Sequence, residues 1–152
     1  MRAVVQRVIF SSVNVEGEVV GKINYGLNIL LGVMKGDDRS KAELLAGKIS
    51  ALRIFEDENG KMNRSILDID GEALVISQFT LCADIKKGNR PSFTDSEEPC
   101  KAKELYEYFS SCLRKNGVKK VDNGIFAADM MVNILNDGPV TIVMDTDIWE
   151  KQ

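Results

Sequence analysis

The 152-residue chain contains no histidine, and this absence excludes more chemistry than any other feature of its composition. A serine hydroxyl becomes a good nucleophile when a neighbouring base removes its proton, and histidine is the usual base. A Ser-His-Asp triad is therefore excluded. A transition-metal site would have to be built from carboxylates and thiolates alone, because no imidazole ligand exists.

Cysteine is scarce, and glycine-rich phosphate loops are missing. Cys82, Cys100 and Cys112 are odd in number and widely spaced, so they match neither a disulfide framework nor a zinc motif. The patterns GxGxxG and GxxxxGK do not occur, which leaves nucleotide-triphosphate chemistry without support. We predict reduced, mostly structural thiols, with no metal and no cofactor.

Long apolar runs and a strong net charge are also absent. No run approaches the length of a membrane span. The amino-terminal stretch carries Arg2 and Arg7 in an alternating pattern and does not resemble a signal peptide. A net charge of −3 argues against indiscriminate nucleic-acid binding. We expect a soluble, cytoplasmic protein that does not bind membranes.

Hydrophobic periodicity predicts strands first and a helix after them. Alternation around Glu16-Gly17 predicts a hairpin, and the apolar run Leu27–Val33 predicts a strand buried on both faces. Asp37 and Asp38 then precede a helical stripe, and acidic residues favour the positive end of a helix. The stripe comprises Ala42, Leu45, Ala46, Ile49 and Leu52.

A second helix has the clearest pattern in the chain. Ser96 is a candidate cap, Pro99 is tolerated in the first turn, and Gly117 follows the end. Its apolar stripe comprises Ala102, Leu105, Tyr106, Phe109, Cys112 and Leu113.

Turn signals complete the expected fold. A turn is predicted at 56–62, a hairpin around Asn123-Gly124, and two strands flanking a turn at Asp137-Gly138-Pro139. Residues 1–152 fit one domain. We predict an α+β fold with a largely antiparallel, barrel-like sheet and two main helices packed on it.

The segment "VISQFTLCADIKKGNRPSFT", Val75–Thr94, holds the strongest candidates for chemistry. Ser77 and Thr80 carry hydroxyls, but no base for them is evident in the sequence. On residue type alone, strand-end residues bonded to the backbone explain them as well as catalytic residues do. Lysine would have to lose its proton in a hydrophilic loop to serve as that base. Gln78 offers both donors and acceptors, and Phe79 suits either a core or a stacking surface for a nucleobase. Residue types alone leave these alternatives open.

The whole pattern resembles the D-aminoacyl-tRNA deacylase family from end to end. The segments that carry the resemblance, in order, are "MRAVVQRV", "SSVNVEGEVVGKI", "RIFEDENGKMN", "VISQFTLCAD", "GNRPSF", "LYEYF", "FAADM" and "NDGPVT". Each segment is weak alone, but the order and spacing are specific. The two family motifs are intact as "SQFTL", Ser77–Leu81, and as Gly138-Pro139.

The resemblance implies a homodimeric hydrolase that needs no metal or other cofactor. Its substrate would be the ester joining a D-amino acid to the terminal adenosine of tRNA, and glycyl-tRNA mischarged on tRNA-Ala would be a further one. Gly138 and Pro139 would form a cis peptide that enters the partner's pocket and excludes L-amino acids. The remaining expected roles are catalytic for Ser77, Gln78 and Thr80, and substrate-binding for Phe79 and Leu81.

An activated ribose ester needs little more than positioning and carbonyl polarisation, so an enzyme of this family does not require a histidine. We therefore expect Thr80 to position the substrate rather than attack it. Lys86, Lys87 and Arg90 are the candidates for tRNA contacts. The alternatives are a non-catalytic RNA-binding module and a Ser-Lys esterase or peptidase, and the second would require a desolvated lysine.

Overall fold

One long amino-terminal strand, β1 (Arg2–Val15), organises the sheet. Its alternate apolar side chains face the core, as the alternation in the sequence predicts. The computed structural model describes residues 1–150. The other strands are β2 (Glu18–Ile23), β3 (Gly26–Gly32), β4 (Phe55–Glu56), β5 (Met62–Arg64), β6 (Glu72–Ser77), β7 (Val121–Asn123) and β8 (Met131–Asp145).

The main sheet closes almost into a barrel. Strand β8 pairs antiparallel along one edge of β1, while β2 and β3 pair antiparallel with successive parts of the other edge. Strands β6 and β7 continue the sheet in parallel. The backbone N–H of Lys22 in β2 donates to Asp122 in β7 at 3.0 Å, which brings the two ends of the sheet together. A small antiparallel pair, β4 and β5, lies outside the barrel.

Two helices cover the sheet, as predicted. Helix α1 (Arg39–Ala51) is capped by the side chain of Asp38, which accepts from the N–H of Lys41. Helix α2 (Pro99–Lys115) ends before Gly117, whose φ of +112° suits a residue without a side chain. The α+β class and the two helices on a barrel-like sheet are confirmed.

The predicted cap of α2 is wrong. Ser96 lies before the helix and forms an isolated antiparallel bridge with Met34. The cap is Glu98, whose carboxylate accepts from the amides of Cys100 and Lys101. Pro99 occupies the first helical position, where the missing N–H costs nothing.

The predicted hairpin around Asn123-Gly124 is also wrong. Strand β7 pairs parallel with β6 because the chain reaches it through α2, and a helical crossover joins parallel strands. The oxygen of Asn123 accepts from Ser110 of α2 at 2.6 Å, which fixes β7 beneath that helix.

Strand β8 differs from prediction as well, because residues 137–139 do not reverse the chain. The two apolar segments form one strand that pairs along almost all of β1. The pairing register shifts twice, between Gln6 and Val8 and between Val8 and Phe10. Extra residues on one strand of a pair bulge away from the ladder, so Asp137–Val140 project from the sheet without ending it.

The core has two parts. The larger lies between the sheet and the helices and includes Leu45 and Ile49 of α1 and Phe109 of α2, all fully buried. A smaller part, around Val13, Ile23 and Leu74, fills the barrel. The prediction that Leu27–Val33 forms a buried strand is confirmed. No helix within residues 1–150 is long and apolar enough to cross a bilayer.

A buried ion pair ties the amino terminus to the start of α1. The α-ammonium of Met1 lies 3.0 Å from the carboxylate of Asp37, and both groups are almost completely inaccessible to water. The same ammonium donates to Thr146 at 2.9 Å, and Asp37 also accepts from the N–H of Met34. Removing one member of a buried pair leaves the other charge without compensation.

We predict that Asp37→Asn lowers the free energy of unfolding by about 3 kcal/mol, because the ammonium of Met1 would remain buried without its counter-charge. Urea denaturation followed by circular dichroism measures the change. Asp38→Asn is the matched control, since Asp38 is exposed and Asn caps a helix as well as Asp does. Equal stability of the two variants would contradict the prediction.

Candidate active site

A cavity of about 510 Å³ opens where the parallel strands β3 and β6 end. Crevices at the carboxyl ends of parallel strands are common ligand sites. The first turns of α2 and the segment 126–130 form the other walls. The lining residues are Leu31, Val33, Ile76, Ser77, Gln78, Phe79, Ser96, Glu97, Pro99, Ala102, Tyr106, Phe126, Ala127, Ala128, Asp129, Met130 and Val132.

The segment Ser77–Leu81 passes along the rim of this cavity. Strand β6 ends at Ser77, and a short 3₁₀ helix, Phe79–Cys82, follows. Three residues of the predicted motif, Ser77, Gln78 and Phe79, line the cavity. Thr80 and Leu81 lie directly beside it without lining it. The motif therefore runs along the rim of this cavity, and three of its five residues line it.

Hydrogen bonds hold this segment in place. The backbone N–H of Gln78 donates to the carbonyl of Leu31 at 2.8 Å, and its side-chain amide donates to the hydroxyl of Thr80. The carbonyl of Leu81 accepts from the guanidinium of Arg2 at 2.9 Å. Thr80 is exposed, and within residues 1–150 its hydroxyl bonds to no carboxylate or amine. Among the described residues, Thr80 therefore has no hydrogen-bonded base.

Backbone amides at the rim are available to a ligand. The N–H of Leu81 donates to the carbonyl of Gln78, as expected inside a 3₁₀ turn. The amides of Phe79 and Thr80 come first in that turn, and among residues 1–150 they meet no acceptor. Two adjacent N–H groups free to donate can bind a carbonyl or oxyanion.

Gly138 and Pro139 are joined by a cis peptide at the bulge of β8. Both residues are exposed, and neither lines the cavity of its own chain. Gly138 has a φ of +128°, and a Cβ there would lie 2.8 Å from Cγ2 of Val140 and 3.1 Å from Nη2 of Arg7. At this φ and with these neighbours, a residue with a side chain is strained at position 138, whereas glycine is not.

Arg7 holds this segment and was not identified from the sequence. Its guanidinium is buried, donates to the carbonyls of Asp137 at 3.1 Å and Ile54 at 2.8 Å, and pairs with the carboxylate of Asp137 at 3.2 Å. The sequence did contain a sign of this role. Arg7 is a charged residue inside an apolar, alternating strand, and a buried charge requires partners. The partners, however, lie far away in sequence.

Tyr106 of α2 lines the cavity, although the sequence predicts it only on the apolar stripe of α2, without a role at the site. Its hydroxyl donates to the carbonyl of Val75 at 2.8 Å. Burial raises the pKa of Tyr106 well above its usual range. This phenol therefore stays protonated and supports the wall of the cavity rather than acting as a base.

Glu97 is the carboxylate beside the first turn of α2. Backbone N–H groups of Glu98 and Gly36 donate to it and, with Lys101, hold its pKa below the usual value. Glu97 is accordingly ionised at neutral pH and is not a proton donor. No cluster of three or more His, Cys, Asp or Glu side chains within residues 1–150 has the geometry of a metal site.

The predicted cations lie in a loop outside the cavity. Lys86, Lys87 and Arg90 are exposed between Asp84 and Ser92, whose backbones exchange hydrogen bonds of 2.7 and 2.9 Å and close the loop. The carboxylate of Asp84 accepts from the N–H of Lys86 and thereby stabilises the turn.

Comparison with known proteins gives a consistent result. Residues 4–145 match the family model described as D-Tyr-tRNA(Tyr) deacylase. The chain is 59% identical to a D-aminoacyl-tRNA deacylase of Aquifex aeolicus (strain VF5) over 146 residues, which cover 96% of this chain and 98% of the relative. It is 56% identical to a D-aminoacyl-tRNA deacylase of Thermosipho melanesiensis, with 96% and 97% covered.

A solved structure described as c-Myc DNA Unwinding Element Binding Protein superposes with a TM-score of 0.91. Its sequence is 42% identical, and the superposition covers 95% of this chain and 98% of that one. The family match spans both the cavity rim and the bulge of β8. The chain therefore belongs to the D-Tyr-tRNA(Tyr) deacylase family and is a hydrolase that acts on ester bonds.

Proposed function

We propose that this protein hydrolyses the ester between a D-amino acid and the 3′-terminal adenosine of tRNA, releasing the free amino acid and tRNA. The observation that carries the proposal is that Ser77, Gln78 and Phe79 line a cavity in a member of a deacylase family. The protein acts in the cytoplasm as a single domain, 1–152, without metal or cofactor. In this role it removes wrongly charged tRNA before translation uses it.

Water is the nucleophile in this proposal. The ester carbonyl accepts from the free amides of Phe79 and Thr80, which stabilise the oxyanion as water adds. The bond to the ribose oxygen then breaks, and that oxygen leaves with a proton. The neighbouring ribose hydroxyl helps to activate the water, so no protein base is required. The amide of Leu81 is already used within the chain, and Leu81 contributes packing at the rim.

The side chains at the rim position the terminal nucleoside. Phe79 is 58% exposed and offers a ring for adenine to stack on. Gln78 and Ser77 are half-buried and provide polar groups beside it. Thr80, whose hydroxyl is oriented by the amide of Gln78, positions the substrate.

A second subunit completes the site in this proposal. Gly138 and Pro139 project from β8 without lining their own cavity, so they are free to enter that of a partner. The outer face of β8 supports such an interface, because Met131, Leu135 and Val143 are more than half exposed. Apolar side chains in such a row are typical of a covered surface.

Chiral selection then follows from main-chain atoms. A rigid Gly138-Pro139 segment facing the α-carbon leaves room for hydrogen on that side and none for an L side chain. The side chain of a D-amino acid points away into solvent, where the protein does not contact it. Glycine has no side chain to exclude, so glycyl-tRNA formed on tRNA-Ala is a second substrate. Lys86, Lys87 and Arg90 contact the tRNA backbone.

The first experiment measures ester loss from D- and L-tyrosyl-tRNA with purified protein. Rapid loss of only the D ester supports the proposal. Tight tRNA binding with no ester loss would instead favour the non-catalytic RNA-binding module.

We predict that Thr80→Ala reduces kcat/KM on D-tyrosyl-tRNA by about tenfold or less, the value of one lost hydrogen bond. The reason is that no base accompanies this hydroxyl. Single-turnover kinetics with mass spectrometry of the quenched protein provides the measurement. An aminoacyl group trapped on Thr80 would refute the role of water as nucleophile.

Gly138→Ala should reduce hydrolysis of D-tyrosyl-tRNA by roughly tenfold to a hundredfold, because small displacements of positioning groups have effects of that size. The new methyl collides with Val140 and the guanidinium of Arg7 at a φ that disfavours a side chain. The ratio of D to L rates should also narrow.

The matched control for this variant is Gly47→Ala. Gly47 lies on the exposed side of α1 with no atom within 4 Å of the added methyl, so this variant should remain fully active. If Gly138→Ala behaves like Gly47→Ala, the segment has no part in selection.

Val143→Asp should produce a folded monomer with little activity. Val143 is 78% exposed on the outer face of β8, so the change adds charge to the proposed interface and leaves the core intact. Sedimentation velocity and D-tyrosyl-tRNA hydrolysis are measured together. Leu44→Asp, on an exposed position of α1, is the control and should remain dimeric. A fully active monomer would rule out completion of the site by a second subunit.

A further inference from the structure

An exposed pair of aromatic rings lies at the mouth of the cavity. The rings of Phe79 and Phe93 are 5.0 Å apart, centroid to centroid, with an interplanar angle of 66°. Phe93 is 37% exposed, although it does not line the cavity. Edge-to-face packing covers only one side of the pair and leaves ring surface accessible to a ligand.

Backbone contacts hold Phe93 firmly despite its exposure. On one side, Ser92 is fixed by two hydrogen bonds to Asp84. On the other, the carbonyl of Phe93 accepts from the N–H of Ser96 at 3.0 Å, and the carbonyl of Asp95 accepts from Lys35 at 2.8 Å. The backbone that carries the ring is therefore pre-organised, and binding to the ring does not require ordering of the loop.

The charge next to Phe93 suits a nucleic-acid backbone. Lys86, Lys87 and Arg90 occupy the loop that Asp84 and Ser92 close, and within residues 1–150 none of the three forms an ion pair. Within residues 84–95 these three cations outnumber the two carboxylates, Asp84 and Asp95, and the next carboxylates, Glu97 and Glu98, lie at the start of α2. An aromatic ring beside unpaired cations is the usual design of a single-strand binding surface.

We propose that Phe93 is a further substrate-binding residue, on which the base preceding the terminal adenosine stacks. This inference rests on the proposed function, in which the terminal adenine occupies Phe79. The 3′ end of tRNA is single-stranded, so successive bases are free to stack on adjacent rings. The cations of the loop then meet the phosphates that join these nucleotides.

Two substrates isolate this contribution. One is D-tyrosyl-tRNA, and the other is D-tyrosyl-adenosine, which carries the same ester but lacks the preceding nucleotide. Stacking of one base is worth a factor of about 5 to 150 in binding. In Phe93→Ala, the ratio of kcat/KM on the tRNA to kcat/KM on the adenosine ester should therefore fall by about 5- to 150-fold.

Matched variants separate stacking from apolar contact. Phe93→Leu keeps the apolar bulk and should show the same fall, whereas Phe93→Trp should keep the ratio of the wild type. Ile85→Ala removes an apolar side chain that is 74% exposed in the same loop, and its ratio should equal that of the wild type. Circular dichroism and thermal melting confirm that each variant is folded.

The possible outcomes distinguish the two proposals. An unchanged ratio in folded Phe93→Ala and Phe93→Leu, with both substrates hydrolysed by the wild type, overturns the role of Phe93 and leaves the proposed function intact. Equal losses on both substrates overturn it too, since Phe93 would then only support Phe79. A wild type that hydrolyses neither ester overturns the proposed function and this inference with it.

Discussion

Pairing of β1 along both of its edges is the constraint on which the rest of the structure depends. Strand β8 occupies one edge, and β2 and β3 share the other. Two arginines of β1 then connect the sheet to the functional segments. Arg2 donates to the carbonyl of Leu81 at the cavity rim, while Arg7 donates to that of Asp137 beside the bulge of β8. A single strand thus fixes both segments in one frame.

The sequence predicted those elements whose signals are local. Helix α1 and the hairpin at Glu16-Gly17 follow from spacing within a few residues, and the structure contains both. The errors have non-local causes. Residues 121–124 resemble a hairpin, but α2 delivers β7 in the parallel direction. Residues 137–139 resemble a reversal, but β1 is long enough to pair with both halves of β8.

The candidate site divides in the same way. "SQFTL" and Gly138-Pro139 are compact motifs, and a family resemblance locates them without knowledge of the fold. Arg7 and Tyr106 could not be found in this manner, because their partners are backbone carbonyls from distant segments. Every residue has a backbone carbonyl, so the sequence does not reveal which one accepts a hydrogen bond. Such residues become visible only when the chain is folded.

Two groups near the cavity, the thiol of Cys82 and the phenol of Tyr106, are poorly suited to accept a proton at neutral pH, whereas the carboxylates of Glu97 and Asp129 belong to the lining. Burial raises the pKa of the Cys82 thiol, so little thiolate forms there at neutral pH. Tyr106 remains protonated and Glu97 remains ionised over the same range. The rim of the cavity provides backbone amides that are free to donate, and in the proposed reaction an activated ester needs little more than positioning and carbonyl polarisation.

The bulge of β8 has a consequence for how such an enzyme can evolve. If selection between mirror-image substrates depends on the main chain at Gly138-Pro139, no side chain at that point can be exchanged to adjust it. Under that condition a side chain added at Gly138 would disturb selection rather than adjust it, because its Cβ would lie 2.8 Å from Cγ2 of Val140 and 3.1 Å from Nη2 of Arg7. New substrate preferences would have to arise elsewhere on the surface, where the nucleic acid is held. The preference for D-amino acids would then stay the same during evolution, while the preference among tRNAs could change.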